Sequence, residues 1–213
     1  KKKKNEGVLA YIGDSPNAQH KGRAGSETLV AEGLKNEFAK QKGRIIITLF
    51  ASNIGRMQSV MRAAQECGRS VCVLGRSLIN MNAAAKQVGY LNDLPSIISE
   101  ERAEHLPSDQ IVYVVTGSQG EGRAALARIS RGDHPALSLS RGDSVIFSSK
   151  AIPGNERDIN DLKSLIVASG AKVVDHHSSD EVLHVSGHPS RDELKDMYEW
   201  TRPEIVIPVH GER

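Results

Sequence analysis

The sequence predicts an α/β protein with a largely parallel β-sheet flanked by helices. Short runs rich in valine and isoleucine recur along the chain, and such runs are typical of strands buried on both faces. The segments between them are mostly long enough for a helix and carry apolar residues three and four positions apart. Strands that alternate with helices form βαβ units, which build parallel sheets.

Short apolar runs predict the strands. They span residues 8–12, 44–50, 70–74, 111–115, 145–148, 173–174, 182–184 and 205–209, with one more brief strand between turns at 131–135 and 141–143. Residues 91–110 have a weaker pattern and are interpreted as a surface connection that contains a short strand and a helical turn. The last two main strands each lead to a histidine, so His184 and His210 are expected at strand carboxyl ends, where open α/β sheets bind ligands.

The helices are predicted from apolar spacing and from residues that commonly begin a helix, such as serine and proline. They are predicted at residues 27–42, from 52 onward, at 78–88, at 153–169, and in a short amphipathic segment between 190 and 204. The helix that begins near Ser52 should turn four side chains into the core. These are Met57, Val60, Met61 and Ala64.

Composition places the chain among soluble globular proteins. With 213 residues, 38% hydrophobic and 25% charged, it can form one large domain or one domain and part of a second. Apolar runs stay below the roughly 20 residues of a membrane span, and no signal peptide is recognised. Cys67 and Cys72 lack metal-binding spacing and are expected to be reduced thiols, which favours a cytoplasmic protein without membrane contact.

The net charge of +2 gives little information about partners. Four lysines occupy positions 1–4, and leaving them out changes the sign of the net charge. Such a run is more often a solvated tail than an RNA-binding arm. Any nucleic-acid binding is therefore expected to depend on local basic patches.

Histidines and glycine turns are the candidate functional features. A single histidine at a strand end is usually a polar cap, but His184 and His188 bracket a Ser-Gly turn whose N–H groups can face an anion. The adjacent pair His176 and His177 should point to opposite faces of an extended chain, which favours an exposed turn over a metal site. The glycine-bearing turn at 116–121 is either a tight turn or a phosphate-binding loop, and it matches neither a Walker sequence nor GxGxxG.

Several blocks, in order along nearly the whole chain, resemble the ribonuclease J family, in the β-CASP branch of the metallo-β-lactamase nucleases. The histidine motifs HVSGHPS (184–190) and PVHGE (208–212) resemble the second and third signature motifs of that branch, and IGDSPN (12–17) resembles its first. Three other blocks are similar to ribonuclease J: TLFASN (48–53), TGSQGE (116–121) and FSSKAIPGNE (147–156).

The resemblance implies a domain organisation. Residues 25–180 would be a Rossmann-like β-CASP domain inserted into a metallo-β-lactamase domain, of which 1–24 and 181–213 are pieces. The metal-binding signature His-x-His-x-Asp-His of that host domain does not occur in the sequence. The 213 residues alone are therefore expected to bind no metal ion and to be inactive as a nuclease.

The resemblance also implies roles for three residues. His210 would be a metal ligand, and His188 would lie beside the scissile phosphate as the acid or as a stabiliser of the transition state. Asp14 would orient His188 through a carboxylate–imidazole hydrogen bond. Pro16 stands where the family has threonine, so the role of Ser15 is left open. The residues implied in phosphate binding at the RNA 5′ end are His184, Ser186, Gly187, Ser118 and Ser148.

The leading hypothesis is the RNA-binding and active-site-completing part of a metal-dependent ribonuclease. The resemblance implies that the whole enzyme uses two divalent ions, zinc or manganese, and forms a homo-oligomer. It would act as a 5′→3′ exoribonuclease and an endoribonuclease on single-stranded RNA with a 5′-monophosphate. The alternative is a non-catalytic α/β module that binds a nucleotide, RNA or a protein through its glycine turns. A His-x-His-x-Asp-His block in preceding sequence would favour the enzyme.

Overall fold

The computed structural model describes residues 7–211 and divides the chain into two compact units. The larger unit contains residues 27–184. The smaller unit combines the residues up to Ser26 with those from Val185 onward, so its two segments lie far apart in the sequence. The lysine run at 1–4, expected to be a solvated tail, and Glu212 lie outside the described residues.

The elements alternate as the fold class requires. The strands are β1 (Ala10–Asp14), β2 (Ile45–Thr48), β3 (Ser70–Leu74), β4 (Ile111–Val115), β5 (Ser144–Phe147), β6 (Lys172–Val174) and β7 (Ile205–Val209). The helices are α1 (Glu27–Lys40), α2 (Ile54–Glu66), α3 (Arg76–Gln87), α4 (Glu100–Glu104), α5 (Ala125–Arg131), α6 (Glu156–Ala168) and α7 (Arg191–Thr201). The connection at 91–110 contains the short helix α4, as predicted. In place of the predicted short strand it has one residue, Ile98, that forms an isolated bridge with Cys72.

The larger unit is a parallel sheet with strand order β3-β4-β2-β5-β6. Every residue of β2, β4 and β5 is buried, which explains their composition: strands covered on both faces have no solvent side for polar residues. The predicted α/β class with a parallel sheet is confirmed. The chain leaves β2 toward β3 and leaves β5 toward β6, in opposite directions. The carboxyl ends of β2 and β5 therefore flank the switch point where such sheets bind ligands.

Helix α2 packs against α1 and β3 through an apolar face. Its four predicted core residues from Met57 to Ala64 are all buried, which confirms the prediction. The helix begins at Ile54, two residues after Ser52, because the side chain of Asn53 accepts the hydrogen bond from the Arg56 N–H (2.9 Å). That bond satisfies one of the free N–H groups of the first turn.

The smaller unit is built on a two-stranded parallel sheet of β1 and β7, with Asp14 opposite Val209 at its end. Helix α7 packs against it, with the rings of Tyr11 and Tyr198 edge to face and their centroids 5.3 Å apart. The Glu193 carboxylate of α7 accepts hydrogen bonds from the N–H groups of Ser190 and Ala24 (both 2.9 Å). These bonds fix the start of α7 and connect the two segments of the unit.

Two predicted strands are wrong, and side chains explain both. Residues 182–184 pair with no strand in the described chain, because the Leu183 carbonyl accepts from the Ser148 hydroxyl (2.7 Å) rather than from a neighbouring backbone. The brief strand between the turns at 131–135 and 141–143 is also missing. There Arg44 donates to the Ser138 carbonyl (2.9 Å), so a side chain replaces the ladder bond that a strand would make.

The His176–His177 pair lies in an exposed turn, as predicted, but the rings do not point apart. Their centroids are 3.9 Å apart. The alternation of side chains holds only for extended backbone, and a turn brings neighbouring side chains to the same side.

Among the described residues, no helix is long and apolar enough to span a membrane.

Candidate functional site

Asp14, His188 and His210 form a cluster at one end of the β1–β7 sheet. Asp14 is the last residue of β1, and His210 directly follows β7, so parallel pairing brings them to the same end. His188 arrives on the segment that leads into α7. Each of the three offers a nitrogen or oxygen atom within 4.8 Å of the others, and no other such group occurs within residues 7–211.

The Asp14 carboxylate is shared by both imidazoles. Its Oδ2 lies 2.5 Å from His188 Nδ1 and its Oδ1 lies 3.1 Å from His210 Nδ1. The sequence led us to expect only the first of these contacts. A carboxylate oxygen accepts hydrogen bonds, so each Nδ1 carries a hydrogen, and in the neutral form of each ring Nε2 has a lone pair. Neither Nε2 atom has a protein partner in the described part of the chain.

This arrangement fits a divalent metal ion. In proteins, a metal-bound imidazole usually donates its other N–H to a carboxylate, which fixes the ring and its tautomer. Asp14 supplies that carboxylate to two rings at once, with the ring centroids 5.0 Å apart. Imidazole nitrogen and carboxylate oxygen are ligands of zinc and, with more oxygen, of manganese. His210 is thus able to bind such an ion through Nε2.

The backbone at His210 is in an unusual conformation. Its φ is +62°, in the left-handed region that residues with a side chain rarely adopt. The preceding carbonyl, of Val209, is held by both the N–H (3.0 Å) and the hydroxyl (2.9 Å) of Ser15. Ser15, whose role the sequence left open, therefore holds the end of β7 from which His210 projects. Strained residues of this kind are concentrated at functional sites.

Ser186 and Asn17 hold His188 in place. The Ser186 hydroxyl oxygen accepts hydrogen bonds from the His188 N–H (3.2 Å) and from the Asn17 side chain (3.0 Å). Asn17 also donates to the His188 carbonyl (3.1 Å). Sequence reasoning assigned no role to Asn17, although it closes the IGDSPN block. Gly187 is exposed, and a Cβ built there would meet nothing within 4 Å, so the space above it is open.

A second cluster lies within the larger unit and is centred on Arg56, whose side chain is only 1% exposed. Its Nη1 donates to the Ser148 hydroxyl (2.7 Å) and to the Leu183 carbonyl (3.3 Å), at the carboxyl end of β5. Nε and Nη2 form a two-point ion pair with Glu27 (2.9 and 2.8 Å). An uncompensated buried guanidinium would be very costly, so Glu27 is needed for Arg56 to lie there.

The same arginine fixes the tautomer of His184. Arg56 Nη1 lies 3.3 Å from His184 Nδ1, and a guanidinium can only donate, so Nδ1 accepts and Nε2 carries the hydrogen. Burial, together with the positive charge of Arg56, lowers the pKa of His184 from 6.5 to about 4. At neutral pH His184 is therefore an uncharged hydrogen-bond donor, and the positive charge of this cluster belongs to Arg56.

The remaining sequence-predicted residues are distributed between the units. Ser148 and His184 lie in the larger unit and are joined by Arg56, whereas Ser186 and Gly187 lie in the smaller one. Ser118 is in the larger unit, but it makes no hydrogen bond with Ser148 or His184. It is buried and lines a separate cavity of about 240 Å³ with Ser149 and Lys163.

Arg56 was missed because arginine is expected at the surface. A signal was present, since Arg56 lies four positions before Val60 on the apolar face of α2.

The buried hydroxyl of Thr48 was also missed by the sequence analysis. Thr48 ends β2 next to Ser148, and its hydroxyl has no partner among the described residues.

Two family models match the chain. One, described as "Ribonuclease J, beta-CASP domain", matches residues 42–166, and the other, "Zn-dependent metallo-hydrolase RNA specificity domain", matches residues 179–213. Similar curated proteins include the ribonuclease J of Sinorhizobium meliloti, 44% identical over 97% of this chain and 36% of its own length. Those of Synechocystis and Thermus thermophilus are each 38% identical over 97% of this chain, and over 32% and 36% of their own lengths. The chain spans about a third of the length of these relatives.

Proposed function

The chain belongs to the ribonuclease J family, and from this membership we propose that it is the RNA-binding, active-site-completing part of a metal-dependent ribonuclease. The observation that carries the proposal is the Asp14 carboxylate that orients both His188 and His210. The whole protein would act as a 5′→3′ exoribonuclease and an endoribonuclease on single-stranded RNA in the cytoplasm, as a homo-oligomer.

The two units are proposed to belong to different parent domains. The sheet unit would be the inserted β-CASP domain, assigned from the sequence to residues 25–180. The segments 1–24 and 181–213 would be pieces of the metallo-β-lactamase domain. In support, the β-CASP model matches inside the larger unit, and the second model begins at residue 179, near the unit boundary after His184. Other segments of the whole protein would supply the remaining metal ligands.

In the whole protein, His210 would hold one of two divalent ions, zinc or manganese, through Nε2. When bound, such ions activate a water molecule and stabilise the charge of a phosphodiester under attack. Asp14 would accept the Nδ1–H of His210 and keep the ring in the tautomer that leaves Nε2 available. Ser15, through its two bonds to the Val209 carbonyl, would hold the position of the ligand.

His188 would serve the departing oxygen of the scissile phosphodiester. Its Nε2 has no hydrogen-bond partner in the described residues and could hold a proton there for the leaving group. Asp14 accepts the other ring N–H, which orients the imidazole for that transfer. Asn17 and Ser186 hold the His188 backbone, so the ring would be positioned before RNA binds.

Residues proposed to bind phosphate are found in each unit. In the larger unit, His184 would offer a neutral Nε2–H, and Ser148 would offer its hydroxyl in exchange for the bond that it now donates to the Leu183 carbonyl. Arg56, whose charge is balanced by Glu27, would hold both side chains in place. Ser118 would contribute from the turn after β4. In the smaller unit, Ser186 and Gly187 would offer backbone N–H groups, with open space above Gly187.

The test uses the whole protein that contains these residues. We expect it to cleave 5′-monophosphorylated single-stranded RNA when Mn²⁺, Mg²⁺ or Zn²⁺ is supplied, and to prefer this substrate to the same RNA with a 5′-hydroxyl. A variant with Ser148→Ala and His184→Ala should lose most of that preference, whereas Arg157→Gln, on an exposed part of α6, should keep it. A metal-loaded protein that binds RNA but does not cleave it would instead support the non-catalytic module.

A further inference from the structure

A third group of positively charged residues surrounds a cavity that the proposed function does not use. The cavity has a volume of about 610 Å³ and lies at the carboxyl ends of β3 and β4, where Gly75 and Thr116 form part of its wall. Three arginines line it: Arg76, Arg123 and Arg128. They come from the start of α3, from the loop after β4, and from α5, so three separate elements direct positive charge to one place.

None of these three guanidinium groups has a carboxylate partner within residues 7–211, in contrast to Arg44, which pairs with Asp143 at 2.7 Å. Arg128 makes one bond, to the Asp133 carbonyl (3.1 Å), which leaves its charge uncompensated. Glu121 is the acidic residue of the wall, and it accepts the Gln119 N–H (2.9 Å). The charge of the cavity is therefore positive.

His134, also in the wall, adds no charge at neutral pH. It accepts the Ala136 N–H at Nδ1 (3.3 Å), and burial together with the charge of Arg128 lowers its pKa. Its Nε2–H is thus a neutral donor. Apart from the Glu121 carboxylate, the charged and imidazole groups of the wall are hydrogen-bond donors, and a guanidinium fork matches phosphate oxygens in particular.

The wall is held rigidly. Gly75 has φ +122°, and a Cβ there would collide with the Thr116 side chain, so β3 and β4 approach closely at this point. The Thr116 hydroxyl and carbonyl accept the N–H groups of Ala125 (3.1 Å) and Leu126 (2.9 Å), which fixes the first turn of α5. A site on fixed elements loses little entropy when it binds a ligand.

We propose that Arg76, Arg123 and Arg128 form a phosphate-binding site, distinct from the cluster around Ser148 and His184, that holds backbone phosphates of a bound RNA strand. Both sites lie at the carboxyl edge of one sheet. Their strand pairs, β3–β4 and β2–β5, are two strands apart, which is on the order of 10 Å at about 4.8 Å per strand. A single strand of RNA can contact both. The naming of RNA rests on the proposed function, whereas a free nucleotide would present the same phosphate chemistry.

The test measures how RNA affinity depends on salt. Binding of fluorescent single-stranded RNA to the whole protein is followed by anisotropy, without added metal, at several salt concentrations. Each phosphate contact on a single strand contributes about 0.7 to the slope of log K against log salt, so replacing all three arginines by glutamine should reduce the slope by about 2. The three matching lysine substitutions keep the charge and should keep most of the slope.

The matched control removes three exposed positive charges elsewhere on the larger unit, Arg62→Gln, Arg157→Gln and Lys172→Gln, and should leave the slope unchanged. If the glutamine variant of the cavity behaves like this control, RNA does not use the site. Calorimetry with AMP then decides: binding by the parent protein and not by the cavity variant supports a nucleotide as the phosphate source. If the cavity variant binds both RNA and AMP as the parent protein does, the proposal is overturned.

This readout is independent of catalysis. Circular dichroism establishes that each variant is folded, and anisotropy requires no turnover. A protein that never cleaves RNA yet shows the reduced slope would contradict the proposed nuclease function alone. A protein that cleaves RNA normally but shows no change with either ligand would contradict the cavity proposal alone.

Discussion

At the scale of single residues, the two histidines that share Asp14 should have separable roles. His210→Ala is expected to lower metal content in the whole protein, because it removes the proposed ligand. His188→Ala is expected to keep the metal and to slow single-turnover cleavage by about 10²–10⁴-fold, the usual contribution of a general acid. Elemental analysis beside single-turnover rates measures both. If His188→Ala loses metal and His210→Ala keeps it, the assignment is reversed.

Asp14→Asn should combine the two losses, because the carboxylate contacts both rings. Groups that orient metal ligands typically change metal affinity or activity by about 10–100-fold. A loss of rate with unchanged metal content would mean that the bond to His210 is dispensable. Ser15→Ala is a useful comparison, since it removes the hydroxyl bond to Val209 and leaves the carboxylate in place.

The lowered pKa of His184 predicts a specific pH dependence of the free energy of unfolding. Its pKa is 6.5 when unperturbed and about 4 in the folded protein. Between these values the unfolded chain binds a proton that the native protein excludes, so the free energy of unfolding should fall as pH falls from about 6.5 to about 4. His184→Gln should lose less stability than the parent protein over this range. Urea unfolding at pH 7 and pH 5 measures the difference.

The control for this measurement is His105→Gln, because His105 is an exposed histidine of the same unit and directly follows α4. It should retain the pH dependence of the parent protein. A parent and a His184→Gln variant that lose stability equally would show that the buried imidazole is not the group responsible.

Contacts between side chains can be predicted from the sequence where a known motif contains both partners. They cannot be predicted where burial in the folded protein determines the partners. The Asp14–His188 hydrogen bond is expected from the resemblance and is observed. Arg56 could not be expected, since its position depends on three partners that are distant in sequence: Glu27, Ser148 and His184. Only the folded sheet brings their acceptor atoms together around one guanidinium.

At the scale of elements, strands are predictable when the backbone pairs with backbone. Strands β3 and β4 have the predicted bounds, because a dense run of valines and isoleucines favours burial in the sheet. Residues 182–184 have a similar composition but give their Leu183 carbonyl to Arg56 and Ser148. The composition of this segment correctly predicts that Leu183 is buried. It does not predict which groups donate hydrogen bonds to the Leu183 carbonyl.

At the scale of the whole molecule, the two units should differ in local stability. The sheet of the larger unit has buried central strands, whereas β7 is exposed along its length and Ile12 of β1 is 66% exposed. Two-stranded sheets are marginally stable in water. In the isolated 213-residue chain, hydrogen exchange should be much faster at β1 and β7 than at β2, β4 and β5.

The exposed apolar residues of β1 and β7 should also promote self-association of that chain, which light scattering measures. Ile207→Lys, on an exposed position of β7, should reduce the association. Equal protection of β7 and β4 in a monomer would contradict the expected difference between the units.

Because β1 pairs with β7, this two-stranded sheet can form only late in synthesis of the chain. Ala10 pairs with Ile205, so β1 leaves the ribosome long before its partner exists. At about 5–20 residues per second, the intervening chain takes roughly 10–40 s to translate. All strands of the larger unit are made within that interval, so its sheet can fold first. The nascent β1 segment, with Leu9 and Ile12 uncovered, would be the natural point of contact for chaperones during this delay.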